Sequence, residues 1–354
     1  GIGNIAALLD NQWTAQDFRN AAFATPHDLV SLNSHFDHYR FFPNDPNHVF
    51  AQEIDGTPVF KGALVFSVGC HSALNVLDAG ASTELSGADW GQLFARNGAT
   101  YIGNTGFGYG DQDLLSYSER LMLNFVQELN YNPTGNFAGL PSVGSALLAA
   151  KQRYFNSIAG ASFSTYDEKI LAESTIYGLP MLKVEMPVQT PNPPGGATAA
   201  VARNDQSRAP ASSSIFNLTF DYTPHAVTGL RNGTYYTLQG SDEVHITGGR
   251  PIQPRTSLNL DSTTDVAHGV LMLGGAFQDT TTFDPVISNI ITDEVYLAAE
   301  AIYPDPRWYP TAIGSINRFL DVDGLIRQRL VVTPGQFKNT TGAAAPTLGV
   351  ERLY

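Results

Sequence analysis

The stretch Ala63-Leu64-Val65-Phe66-Ser67-Val68-Gly69-Cys70-His71 decides how the first half of this chain is interpreted. Its short apolar run is typical of a strand that is buried on both faces of a parallel sheet. Gly69 permits a sharp turn at the end of that strand. Cys70 is the only cysteine in 354 residues. It would lie at the carboxyl end of the strand, where open α/β sheets bind their ligands.

A lone cysteine is also among the residue types that are most often buried as small apolar groups. A second block, Asp28-Leu29-Val30-Ser31-Leu32-Asn33-Ser34-His35, favours a functional thiol, because it too is an apolar strand that ends in a reactive residue type. A cysteine and a histidine at the ends of consecutive parallel strands would converge in space. The pair suits nucleophilic catalysis, in which a thiolate attacks and an imidazole moves the proton.

The two blocks resemble the His and Cys blocks of the gingipain-type cysteine peptidases, which belong to the caspase-like clan. The 35-residue separation between His35 and Cys70 is about what one crossover helix with its loops requires. A third block, residues 173–182, resembles the Thr-x-x-aromatic-Gly-x-Pro-x-Leu element that closes the gingipain catalytic domain. The resemblance covers roughly residues 20–186, about half of the chain.

The resemblance implies a catalytic dyad in which Cys70 is the nucleophile and His35 handles the proton. His38 is the alternative catalytic histidine. The family usually has a glycine after the histidine, whereas this chain has Phe36. Phe36 still supplies the backbone N–H that helps to bind the oxyanion in the family. The resemblance therefore places the oxyanion against the backbone of Phe36 and of the Gly69–Cys70 turn.

A glycine-rich loop, Thr105-Gly-Phe-Gly-Tyr-Gly-Asp-Gln-Asp113, follows the strand predicted over residues 99–104. It resembles the gingipain segment that walls the pocket for the substrate side chain preceding the scissile bond. Two aromatic residues and two acids are the candidates for lining that pocket, namely Phe107, Tyr109, Asp111 and Asp113. The aromatic rings would form apolar walls, and an acid would meet an Arg or Lys of the substrate. Alternatively, Asp113 caps the helix predicted over residues 114–129.

The charge and composition of the chain limit the classes of partner. A net charge of −13, from 33 acidic and 20 basic residues, argues against nucleic acid or an anionic membrane surface as the partner. No apolar run approaches the roughly 20 residues that a membrane helix needs. Only 15% of the residues are charged, and Gly, Thr, Asn and Ser are abundant, which is typical of a secreted or cell-surface protein. One cysteine excludes an internal disulfide framework.

The order of elements predicts two domains. Strands and helices alternate over residues 1–186, which is the α/β signature, and the last strand of the sheet is expected over residues 181–184. A linker rich in Pro, Gly and Ala follows over residues 187–214. Short alternating segments over residues 215–354 predict an all-β sandwich, and gingipains likewise carry an immunoglobulin-like domain after the catalytic one.

The caspase-like sheet would be incomplete in this chain. Such sheets normally have two further strands before the histidine strand, and only 34 residues precede His35. We therefore expect an upstream fragment of a processed precursor, or another chain, to complete the sheet.

These features predict an extracellular cysteine endopeptidase that acts on peptides or proteins without a cofactor, with Arg or Lys as candidates for the residue before the cleaved bond. The main alternative is a non-catalytic surface or assembly protein that retains a gingipain-like fold. A more distant alternative is a zinc hydrolase built on His35, His38 and His71. Asp321 and Asp323 could supply oxygens to a structural calcium ion, although a tight turn explains them as well.

Overall fold

The computed structural model describes residues 5–9, 12–75, 88–129, 140–158, 163–186, 197–201, 215–228, 232–260, 266–292, 306–320, 325–340 and 348–354. The α-helices of these ranges are α1 (Ala15–Ala22), α2 (Trp90–Arg96), α3 (Tyr117–Leu129), α4 (Val143–Ser157) and α5 (Thr165–Glu173). Two short 3-10 helices span Ala51–Ile54 and Pro58–Phe60.

The strands divide between the two halves of the chain. Those of the first half are β1 (Leu29–Ser31), β2 (His35–Phe36), β3 (Arg40–Phe42), β4 (Val49–Phe50), β5 (Leu64–Phe66), β6 (Thr100–Asn104), β7 (Gly110–Asp111) and β8 (Ser174–Tyr177). Those of the second half are β9 (Ala197–Val201), β10 (Phe216–Phe220), β11 (Tyr222–Val227), β12 (Gly233–Leu238), β13 (Val244–His245), β14 (Gln253–Pro254), β15 (Thr256–Asn259), β16 (Gln278–Phe283), β17 (Ile290–Ile291), β18 (Gly314–Leu320), β19 (Ile326–Val332), β20 (Gly335–Asn339) and β21 (Gly349–Leu353).

A mixed four-stranded sheet with the order β1-β5-β6-β8 organises the first half. β1, β5 and β6 are parallel, and β8 is antiparallel to β6 at one edge. Successive residues of the central strand β5 point to opposite faces. Val65 joins one core cluster together with residues of α1 and α2, whereas Leu64 and Phe66 join the other together with residues of α3, α4 and α5. The fold of this half is therefore an α/β sheet with helices on both faces, and the strands predicted over 28–33, 63–68 and 99–104 are confirmed.

The last strand of this sheet is not where the sequence predicts it. The prediction over residues 181–184 is wrong, since the edge strand is Ser174–Tyr177 and directly follows α5. Gly178 ends the strand with a positive φ of 94°, and its backbone lies against Ala99 and Thr100. A turn follows in which the Leu182 amide donates to the Leu179 carbonyl. The apolar residues after that turn imitate a strand in the sequence pattern.

The second half is built from antiparallel strands, as the sequence predicts. The larger units are two three-stranded sheets, with the orders β15-β19-β18 and β16-β21-β20. The other described strands of this half form two-stranded pairs, one of which joins β17 to β7 of the first half. The immunoglobulin-like arrangement stays a prediction. The domain boundary also stays a prediction, because residues 187–196 and 202–214 of the predicted linker lie outside the described residues. The two candidate calcium ligands, Asp321 and Asp323, lie outside them as well.

The two halves of the chain are joined by polar contacts. β7 pairs with β17 through Asp111 and Ile290. Further along, the Asn317 side-chain amide donates to the carbonyl oxygens of Asn156 and Ile158, at 2.9 and 2.7 Å. These contacts fix the end of α4 and the glycine-rich loop against the second half. Across the described residues, no helix has both the length and the apolar character needed to cross a membrane.

Candidate active site

The turn after β5 carries the candidate nucleophile, and Gly69 determines its position. A Cβ atom at Gly69 would clash with the Phe36 ring and would lie 2.9 Å from the Ser34 carbonyl oxygen. Only glycine therefore allows residues 34–36 to pack directly against the turn. The structure thus brings together the two blocks that the sequence analysis singled out, at the carboxyl ends of β1 and β5.

Cys70 is covered by the glycine-rich loop. Its side chain is buried, with 4% of the residue exposed. The Gly108 amide donates to the Cys70 sulfur at 3.1 Å, and the thiol contacts the Gly108 carbonyl at 3.5 Å. The His71 amide also donates to the Gly106 carbonyl. An N–H group that points at sulfur stabilises a thiolate, whereas a carbonyl oxygen stabilises a thiol. Gly108 therefore contacts the sulfur with two groups: its amide favours the thiolate, and its carbonyl favours the thiol.

Two asparagines, which the sequence analysis missed, hold the turn from either side. The Asn104 side chain at the end of β6 donates to the Val68 carbonyl at 2.9 Å. The Val68 amide donates to the Asn33 side chain at 3.2 Å, just beyond β1. Polar residues that follow neighbouring parallel strands reach the same edge of a sheet. The position of an asparagine at the end of each flanking strand is the signal that could have identified them.

The structure places His35 and His38 in different environments near the turn. His35 lies on β2 with its side chain exposed, whereas the adjacent Phe36 is buried among core aromatic residues. His38 is 3% exposed, and its ring centroid lies 6.2 Å from that of His71. His71 Nε2 is buried and has no hydrogen-bond partner among the described residues. The two histidines therefore differ in exposure: His35 faces solvent, whereas His38 is buried near His71.

Asp89 is a buried carboxylate beside His38 that the sequence analysis also missed. It caps α2 by accepting a hydrogen bond from the Gln92 amide at 2.8 Å, and the Trp90 amide donates to the His38 carbonyl. Burial raises the pKa of Asp89, while backbone N–H groups and the nearby His38 oppose that rise. In the sequence, Asp89 has only the pattern of a helix cap, which hides its proximity to a histidine.

The candidate pocket residues of the glycine-rich loop have separate surroundings. Phe107 is half-buried, and its ring makes an edge contact with His71 at a centroid distance of 4.8 Å. Tyr109 is buried in the core, where its hydroxyl accepts a hydrogen bond from Lys169 at 3.0 Å. Asp113 is half-buried, and its amide donates to Asp111. Helix α3 begins four residues later, at Tyr117, so Asp113 is not its N-cap.

Asp111 faces the second half of the chain. It is 6% exposed, and its carboxylate accepts a hydrogen bond from the Ser288 hydroxyl at 2.7 Å. This bond, together with the pairing of β7 and β17, fixes the far end of the glycine-rich loop. The acidic substrate pocket stays a prediction.

No group of three His, Cys, Asp or Glu side chains suited to a metal ion occurs within the described ranges, and these ranges include His35, His38 and His71.

Comparisons with known proteins give a limited result. Neither a family model nor a curated protein matches the chain. A complex of the pro- and mature domains of RgpB from Porphyromonas gingivalis is similar over 38% of this chain and 70% of that chain, with 19% identity and a TM-score of 0.28. A structure concerning the zymogenic latency of gingipain K from the same organism is similar over 45% and 98%, with 12% identity and a TM-score of 0.26. Both scores are too low to carry an argument about family or activity.

The close approach of the glycine-rich loop to the Cys70 turn predicts that Gly108→Ala is destabilising. The added Cβ would clash with the Val68 carbonyl oxygen. We expect a loss of about 1–3 kcal/mol in the free energy of unfolding, measured with urea, because overpacking at a rigid contact costs about that much. Gly110→Ala is the matched control in the same loop, since its nearest neighbouring atom would be 3.6 Å away. Equal losses in the two variants would contradict this contact.

The burial of Asp111 predicts a pH-dependent stability. Burial raises its pKa above the ordinary value of 3.8, and the hydrogen bonds from Ser288 and Asp113 only partly oppose this. The folded state therefore binds more protons, and its stability falls as the pH rises from about 3.8 through the raised pKa.

We expect Asp111→Asn to gain stability relative to wild type over that interval, and the difference to become constant above it. Urea unfolding at several pH values between about 4 and 7 measures the effect. A difference between Asp111→Asn and wild type that does not change with pH would contradict the account.

Proposed function

We propose that this chain is an extracellular or cell-surface cysteine endopeptidase of gingipain type, with a caspase-like catalytic domain followed by an immunoglobulin-like sandwich. One observation carries the proposal: the single thiol of the chain lies at the carboxyl end of a central parallel strand, in a turn against which the histidine-bearing segment 34–36 packs. Acyl transfer requires a nucleophile and a base within hydrogen-bond reach of each other, and the meeting of these two segments at one edge of the sheet supports that pairing.

The proposed reaction uses the groups around this turn. The Cys70 thiolate adds to the peptide carbonyl carbon, after its proton has moved to His35. Backbone N–H groups of Cys70 and Phe36 stabilise the resulting oxyanion. The C–N bond then breaks while the imidazolium returns the proton to the leaving amine. Water hydrolyses the remaining thioester, with the imidazole again accepting a proton, and this step restores the thiol. His38, with Asp89 beside it, is the alternative base.

Substrate access requires movement of the loop that covers Cys70. The Gly108 backbone contacts the sulfur, and glycines flank Gly108 at positions 106 and 110. These residues give the loop conformational freedom. An opened loop would present Phe107 and Asp113 to the substrate, and Asp113 would favour Arg or Lys before the cleaved bond.

The open edge of the sheet supports a further partner. Among the described strands, β1 pairs on one side only, with β5. An unpaired strand edge offers N–H and C=O groups to an added strand. We therefore propose that an upstream fragment of the same precursor, or another chain, completes the sheet there.

Cleavage of a mixed peptide library tests the proposed activity. Cys70→Ala is expected to lower the cleavage rate by about 10³-fold or more, because the nucleophile is lost. His35→Ala is expected to lower it by about 10²–10⁴-fold, through loss of the proton-transfer group. His48→Ala, at a histidine outside the proposed site, is the matched control and should retain the wild-type rate. Thermal unfolding of each variant separates loss of chemistry from loss of fold.

A rival function has one observation in its favour. A thiol that is 4% exposed and in contact with Gly108 fits a non-catalytic surface or assembly protein that retains the fold. The absence of cleavage by the wild-type chain, with any upstream fragment present, would support this rival. A loss of activity in His38→Ala but not in His35→Ala would keep the peptidase and reassign the base.

A further inference from the structure

A cavity lies at the junction of the two halves of the chain, and the proposed peptidase chemistry does not use it. Its volume is about 60 Å³. The first half contributes residues from the start of α3 and the end of α4, and the second half contributes residues 242–246 and Arg255. A water molecule needs roughly 10–15 Å³ of such space, so the cavity has room for about four waters or for one four-oxygen anion.

Arg255 is a buried cation in the lining of this cavity. It is 8% exposed, and its Nε atom has no hydrogen-bond partner among the described residues. No carboxylate within the described ranges forms an ion pair with it. An arginine side chain stays protonated in proteins, so it cannot relieve its burial by losing the charge. A buried, unpaired guanidinium group therefore requires an anion or ordered water.

The acids around the cavity do not satisfy Arg255. Asp242 pairs with Arg120 at 3.0 Å. Asp167 accepts hydrogen bonds from the Tyr154 hydroxyl at 2.8 Å and from Ser164. Glu243 attracts the guanidinium group electrostatically, but it forms no ion pair with it. The acids are thus engaged elsewhere or too distant to contact Arg255.

Two further cations and a buried hydroxyl group also belong to the lining. Arg120 and Arg153 border the same cavity, and the charge of Arg120 disfavours the protonated form of Arg255. The Ser116 hydroxyl is buried and has no hydrogen-bond partner in the described part of the chain. The Tyr117 hydroxyl is in the same state, so three lining residues have a buried polar atom without a hydrogen-bond partner among the described residues: Arg255, Ser116 and Tyr117.

We propose that this cavity binds one small oxyanion, that is, a phosphate, sulfate or carboxylate group. The planar fork of Arg255 supplies the main contact, because its geometry matches two oxygens of such an anion. The Ser116 hydroxyl donates a second hydrogen bond. Since Arg255 belongs to one half of the chain and Ser116 to the other, the bound anion stabilises the contact between the halves.

Thermal unfolding of the full chain in sodium phosphate, sulfate or acetate, against sodium chloride at the same ionic strength, tests this site. We expect at least one oxyanion to raise the Tm of the wild type in proportion to the logarithm of its concentration above Kd, by about 4 °C at a hundredfold excess over Kd. The anion that acts at the lowest concentration identifies the ligand class. Arg255→Gln should abolish the rise. Arg96→Gln is the matched control, because this arginine is exposed and pairs with Asp55 on the surface.

Several results would overturn the site. These are an equal rise in Arg255→Gln, a rise that sodium chloride at the same ionic strength reproduces, and no rise with any oxyanion. If Arg255→Gln does not fold, calorimetric titration of phosphate, sulfate and acetate into the wild type and Ser116→Ala replaces it. Weaker binding of the active anion to Ser116→Ala supports the site. Equal affinity in both proteins, or no binding to the wild type, overturns it.

Discussion

The contact between Gly69 and the segment 34–36 is the constraint on which the candidate site depends. A side chain at position 69 would collide with the Phe36 ring, so the strand ends can approach each other only because that residue is glycine. Phe36 is in turn held in place by Phe41 and Trp90, with ring centroids 5.4 and 5.8 Å away. The aromatic core beneath the sheet therefore fixes the distance between the cysteine turn and the histidine segment, and both proton-transfer candidates depend on that packing.

Much of the first half could be predicted from the sequence, because its short strands are apolar and its helices have strong caps. The strands at Leu64–Phe66 and Thr100–Asn104 follow from local composition, and Thr14 caps α1 as its pattern indicates. The edge strand was misplaced because an apolar run after a glycine turn looks like a strand. Local pattern cannot show which neighbouring backbone supplies the hydrogen bonds.

The site could be predicted only in part, for a related reason. The order of blocks predicts Cys70 and His35 as site candidates, whereas the partners of a side chain depend on contacts between distant segments. Asp111 is an acid in a plausible binding loop, yet its carboxylate meets Ser288, which is 177 residues away. Arg255 has no sequence feature that marks it, since its exceptional property is burial without a hydrogen-bond partner for its Nε atom in the part of the chain that the structure describes. The Asp111–Ser288 hydrogen bond and the pairing of β7 with β17 anchor one end of the glycine-rich loop that covers Cys70. No sequence motif indicates either contact.

Mass spectrometry after reaction with a peptidyl ketone that forms a thioether with active-site cysteines tests the central claim most directly. The account predicts one adduct on native protein, mapped to Cys70 and carrying a peptide with Arg or Lys next to the ketone. The adduct should be lost on prior unfolding and strongly reduced in His35→Ala. An adduct that forms only after unfolding would contradict the account, because Cys70 would then be a buried thiol and not a nucleophile assembled by the fold.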